Sequence, residues 1–133
     1  MADLMTADDF FTGLFAALAV KGRTVLSLRG DEFEAAVAGT FEKLEGMSSP
    51  DKMELDFSIL LHPIYQDSMT VRDSLYNAAQ RGLISLDNPE YQDIRFKFSK
   101  DEARTLLDDV PGGRDLFLCL ADDFIGQYDQ VTA

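Results

Sequence analysis

Histidine occurs once in this chain of 133 residues, cysteine once, and tryptophan not at all. Each scarcity removes a class of chemistry. A single cysteine, Cys119, excludes an intramolecular disulfide and suits a reducing compartment. Cys119 stands among Leu116, Leu118 and Leu120, with Asp122 and Asp123 close by. A reactive thiolate needs an electropositive setting, so core packing is the expectation there. The single histidine, His62, cannot form a His cluster. It lies beside Pro63 on an apolar segment with no nucleophile motif next to it, and a structural or surface role is expected. Long apolar runs are missing too. The longest, Leu14 to Val20, is far too short to span a bilayer. The stretch FFTGLFAALAV has the apolarity of a signal peptide, but the preceding segment carries Asp3, Asp8 and Asp9 and no Lys or Arg. A secretory leader begins with positive charge, so a cytoplasmic protein is the expectation.

Positive charge is the largest shortage: 12 Lys and Arg stand against 24 Asp and Glu, a formal net charge of -12. Such an excess keeps a protein soluble and repels phosphate backbones and anionic membranes. It suits a basic protein partner better than nucleic acid, and no membrane. The acids do not assemble a recognisable site. In Asp8-Asp9, Asp108-Asp109 and Asp122-Asp123 the neighbours point in different directions on a helix. No calcium-loop pattern occurs, and VPGGR lacks the Gly-Lys-Ser/Thr of a phosphate loop. The tripeptide Arg29 to Asp31 looks like an adhesion motif but sits where a helix cap is needed. A protein that is not an enzyme, with no cofactor and no metal, is expected.

What is present is core material. Hydrophobic residues make up 46% of the chain and ten are Phe, enough for one domain over residues 1–133. Thr6 opens a helix in which Phe10, Phe11, Leu14, Phe15 and Leu18 recur at helical spacing, and Gly22 can end it. Residues 24–28, TVLSL, fit a short strand. Asp31 and Glu34 resemble a capping box for a second helix with Phe33, Val37, Phe41 and Leu44 on its stripe and Gly46 as its stop. Residues 50–64 fit two patterns. Met53, Phe57, Leu60, Leu61 and Ile64 lie at helical spacing, whereas Met53, Leu55, Phe57, Ile59 and Leu61 alternate as in a strand; Ser49-Pro50 as a start favours helix.

A third helix carries Val71, Leu75, Ala78 and Ala79 inward, with Ser68 or Thr70 as cap and Gly82 as stop. Leu83, Ile84 and Leu86 then give a strand, DNPE a turn, and Ile94, Phe96 and Phe98 the returning strand. Ser99 to Glu102 is a capping box for a helix with Ala103, Leu106, Leu107 and Val110; Pro111 to Gly113 break it. A last helix carries Phe117, Leu120, Phe124 and Tyr128, and its tail QVTA is expected to fray. The fold class expected is α+β and mostly helical, with a two-stranded hairpin between flanking N- and C-terminal helices. The Phe-rich first and last helices are expected to offer a homodimer or partner surface.

The run from SLYNAAQRGLIS through LDNPEYQDIRFKFS, within residues 70–99, resembles the recognition helix and wing of a winged helix-turn-helix domain. The order of flanking helices is similar to that of the multiple-antibiotic-resistance-regulator family, and Asp93 and Arg95 resemble an Asp-x-Arg pair of such wings. The resemblance implies a winged-helix-like segment over about 31–99 and a C-terminal helical pair over 100–129. It also implies a dimer through the outer helices and a wing in the minor groove.

Charge distribution adds to this. Residues 1–69 hold 12 acids and 5 bases, residues 101–133 hold 8 and 2, and residues 70–100 hold 4 and 5. The segment resembling helix and wing is the least acidic large block. Thr70, Arg72, Asn77, Gln80 and Arg81 on the helix, with Arg95, Lys97 and Lys100 at the wing, are the residue types that read base edges and hold phosphates. The same residues also suit the solvated side of an amphipathic helix. Asp108, Asp109, Asp122 and Asp123 are the corresponding candidates for an acidic partner surface. Two functions follow as expectations. The first is a small acidic protein-binding module, an adaptor, inhibitor, immunity-type protein or nucleic-acid mimic, acting on a basic partner. The second is a dimeric winged-helix transcription regulator.

Overall fold

The computed structural model describes residues 3–23, 25–27, 32–47, 53–55, 69–85, 93–110 and 113–132. In chain order its elements are β1 (Asp3–Met5), α1 (Ala7–Val20), β2 (Val25–Ser27), α2 (Glu32–Met47) and β3 (Met53–Leu55). They continue with α3 (Met69–Gln80), β4 (Ile84–Ser85), β5 (Asp93–Phe96), α4 (Lys100–Asp109) and α5 (Gly113–Thr132). The described residues are thus mostly helical, with a small three-stranded antiparallel sheet in the order β2-β5-β4. This is the α+β class expected from the sequence.

Helix α1 is the centre. Thr6 and Asp9 form a reciprocal capping box: the Asp9 backbone N–H donates to Thr6 Oγ1 at 3.2 Å, and the Thr6 N–H to Asp9 Oδ2 at 3.1 Å. From Phe10 to Ala19 every residue is buried. A helix apolar on all sides must be covered on all sides, and α3, α4 and α5 pack against it. An unbroken run of ring contacts crosses the core from α2 to the sheet, through Phe41, Phe10, Phe11, Phe15, Phe96 and Phe98. A second run, Phe33, Phe124 and Tyr128, joins α2 to α5. Burying each ring is worth about 1.5–3 kcal/mol.

Two close approaches hold the helices at this spacing. A Cβ placed on Gly13 of α1 would stand 2.5 Å from the Phe117 ring of α5. One placed on Gly39 of α2 would collide with the Gln127 side chain of α5. Two helices leave the core through the same turn. Gly22 and Gly82 have φ of 95° and 79°, in the region that favours glycine. After α1, the Gly22 N–H donates to Ala19 O and the Arg23 N–H to Leu18 O; after α3, the Gly82 N–H donates to Ala79 O and the Leu83 N–H to Ala78 O. This is the Schellman pattern, and in both cases it directs the chain into a strand.

Several expectations are corrected. Residues 53–55 are strand, not helix, paired in parallel with β1 in the register Asp3↔Met53 and Met5↔Leu55. Local spacing gave no sign of β1 and left helix and strand in competition over 53–55, because the deciding backbone partner lies in a distant segment; the rest of 50–64, including His62, lies outside the described residues. The hairpin is not an isolated two-stranded wing. Strand β2 covers the second edge of β5, with Leu26 opposite Ile94, so the sheet reaches back before residue 31. Gly46 does not stop α2, which runs to Met47, and α5 runs to Thr132 instead of ending near 129. The rings of the outer helices are not a dimer surface either: Phe10, Phe11, Phe15, Phe117 and Phe124 are all spent in the core. Helix α2 lies against α5 and α3 against α1.

Replacing Gly13 with Ala is expected to lower stability by about 1–3 kcal/mol through overpacking against Phe117. Gly46, with open space around it and no positive φ, is the matched control. Gly46→Ala is expected to raise stability by about 0.4–1 kcal/mol. Urea unfolding of the two variants checks both signs.

Candidate functional site

The amphipathic spacing of α3 buries Val71, Ser74, Leu75 and Ala78 and exposes Asp73, Tyr76, Asn77 and Gln80. The ring of Tyr76 is 63% exposed at the middle of that outer face. Of the candidate nucleic-acid residues on this helix, Asn77 and Gln80 therefore lie on that outer face. Asp73 sits on the same face. Asn77 Nδ2 donates to the Asp8 carboxylate of α1 at 3.4 and 3.5 Å, at the outer limit of a hydrogen bond. Arg81 Nη1 donates to Thr12 Oγ1 at 3.2 Å. Thr12 is buried, so the guanidinium supplies a buried hydroxyl with a partner and ties the end of α3 to α1. Thr70 and Arg72 belong to the first turn of α3, with side chains outside the described part.

At the sheet end, Arg95, Lys97 and Lys100 are exposed. The backbone N–H of Lys97 donates to Leu83 O at 2.9 Å, which brings the end of β5 against the exit of α3. There a recess of about 370 Å³ opens between three elements. The α3 exit contributes Arg81, Gly82 and Leu83; the end of β5, Lys97 and Phe98; and α4, Glu102, Thr105 and Leu106. Arg81 and Lys97 are both among the residues expected at a duplex. That both line one recess with Leu83, Phe98 and Leu106 is not legible locally, because Leu106 comes from the following helix.

The acidic candidates divide differently. Asp122 of α5 pairs with Lys21 at the end of α1, Oδ1 to Nζ 2.6 Å. Asp123 accepts from Gln127 Nε2 at 2.6 Å and lies 3.8 Å from Lys43 Nζ of α2. Asp108 of α4 pairs with Arg114 of α5 at 3.1 Å. Only Asp109 of the four is exposed with no ion pair among the described residues. These acids join neighbouring helices, and single exposed pairs of this kind contribute at most about 1 kcal/mol each.

No family model, no curated protein and no solved structure matches the chain. The site is therefore read from its own chemistry. Among the described residues no group of three or more His, Cys, Asp or Glu side chains is placed to hold a metal ion, and no helix is long and apolar enough to cross a membrane. Cys119 is half-buried, between the packed role expected for it and full exposure.

If Arg81 serves α1, its loss and that of the Thr12 hydroxyl are coupled. A double-mutant cycle with Arg81→Met and Thr12→Val is expected to give about 0.5–1.5 kcal/mol of coupling in unfolding free energy. An Arg81 that leaves Thr12 for solvent would give none.

Proposed function

We propose that this chain is a non-enzymatic, acidic protein-binding module that acts on a basic partner, as an adaptor, inhibitor or immunity-type protein. The fate of the cations carries this reading. Lys21, Lys43, Arg104 and Arg114 each pair with an Asp of the same chain. Exposed carboxylates such as Glu42 on α2, Asp109 on α4 and Asp115 on α5 remain turned outward. A net charge of -12 then acts at long range. It steers a basic partner into encounter, and polar and apolar contacts fix the register afterwards. In its strongest form the module is a nucleic-acid mimic, with carboxylates occupying a groove built for phosphates.

A dimeric winged-helix transcription regulator is the second reading. The succession of α3, its glycine exit and the β4–β5 hairpin, with helices before and after, supports it. So do the exposed cations Arg95, Lys97 and Lys100 beside the sheet. Against it stand Asp73 on the outer face of α3 and the engagement of Asn77 and Arg81 with α1. A phosphate approaching that face meets carboxylate as well as cation, and duplex affinity rests largely on cation–phosphate contacts.

Affinity capture at low salt is expected to recover a basic protein in near-stoichiometric amount, released by salt and lost on Asp109→Lys with Asp115→Lys. Failure to recover any such partner sinks the leading reading. A salt-dependent duplex shift abolished by Arg95→Glu with Lys97→Glu would put the regulator in its place.

A further inference from the structure

The recess between α3, β5 and α4 combines an apolar lining with two cations. Its floor is apolar: Leu83, Phe98 and Leu106 line it, all half-buried against the core. Phe98 is held in place by stacking on Phe96, with ring centroids 5.6 Å apart and planes within 9°. Its rim carries two cations, Arg81 and Lys97, on different elements. Arg81 uses one N–H on Thr12 and keeps the rest of its fork of donors. Lys97 makes no side-chain hydrogen bond or ion pair among the described residues. The volume of about 370 Å³ lies in the range of small-molecule sites, which combine apolar walls with a few convergent polar groups.

The third charged residue decides the class of ligand. Glu102 also lines the recess. One of its oxygens accepts from the Ser99 N–H at 3.1 Å as half of the α4 capping box, so its position is fixed by the helix start. It offsets one of the two cations and leaves a balance of a single positive charge. A dianion such as a phosphate monoester would face an uncompensated carboxylate. A carboxylate brings one negative charge and two oxygens to share between Lys97 and Arg81.

We propose that this recess binds a small amphipathic carboxylate, its apolar body over Leu83, Phe98 and Leu106 and its head between Lys97 and Arg81. Gly82 keeps the entrance open, since no side chain projects from the turn at that point. Occupancy would press on the exit of α3, the end of β5 and the first turns of α4 together. It is separate from recognition of a basic protein.

Octanoate is a suitable probe, with octanamide as its neutral counterpart and octyl phosphate as the dianion. Amide chemical shifts of the intact, isotope-labelled chain are followed during titration. Octanoate is expected to give saturable shifts at Leu83, Lys97, Phe98 and Leu106 with a Kd on the order of 1 mM. Octanamide and octyl phosphate are each expected to bind at least about tenfold more weakly. Lys97→Met keeps the apolar stem at an exposed position, so it preserves the spectrum while weakening octanoate by about tenfold. Shifts that fail to saturate, equal binding of the amide or the phosphate, or an unchanged affinity in Lys97→Met would overturn the proposal.

Discussion

Burial of α1 on every side is the constraint from which the rest of the molecule follows. From Phe10 to Ala19 the helix leaves no residue exposed, so other elements must surround it. Helices α3, α4 and α5 do so, and Phe15 reaches Phe96 of the sheet at 5.3 Å between centroids. The glycine at position 13 lets Phe117 approach one side of this helix. The polar groups near α1 are used in the same cause. Thr6 and Asp9 close its first turn, Thr12 accepts from Arg81, and Lys21 at its end meets Asp122. A small acidic chain with a single cysteine thereby acquires a core without an intramolecular disulfide.

The same constraint shapes the surface. Cations are few, and several of them attach helices to the central one or to each other. The most acidic parts of the sequence are therefore not a plain reservoir of free carboxylate. Asp108, Asp122 and Asp123 are engaged between elements, whereas Glu42, Asp109 and Asp115 turn outward. Around the exit of α3 the balance is reversed. There Arg81 and Lys97 line one recess together with a single acid, Glu102. One molecule thus presents exposed carboxylates on α2, α4 and α5 and, elsewhere, a small recess lined by two cations.

Much of this was legible in sequence. The apolar spacing of α1, α2, α3 and α5 named the buried residues, and Thr6, Ser99 and Gly82 marked helix ends by local chemistry that needs no tertiary partner. Strand β2 was visible as TVLSL, but its place beside β5 was not. Strand β1 left no signal, and at residues 53–55 strand alternation competed with helical spacing until the pairing with β1 decided it. The candidate site was read less well. Asn77 and Arg81 have the composition of a base-reading face, and only the packing of α3 on α1 shows that Asp8 and Thr12 take their donors. Composition records which groups exist; proximity decides whom they serve.

The twin exits of α1 and α3 have a further consequence. Each glycine turn sends a strand to one side of β5: β2 after Gly22 and β4 after Gly82. Strand β5 is therefore clasped on both edges by two equivalent helix–turn–strand units, although it belongs to neither. Such an arrangement is a safeguard. An open strand edge is a template on which other chains pair and aggregate. Here each covering strand is delivered through a left-handed glycine, and a side chain at Gly22 or Gly82 would strain the turn that holds one edge of β5 covered.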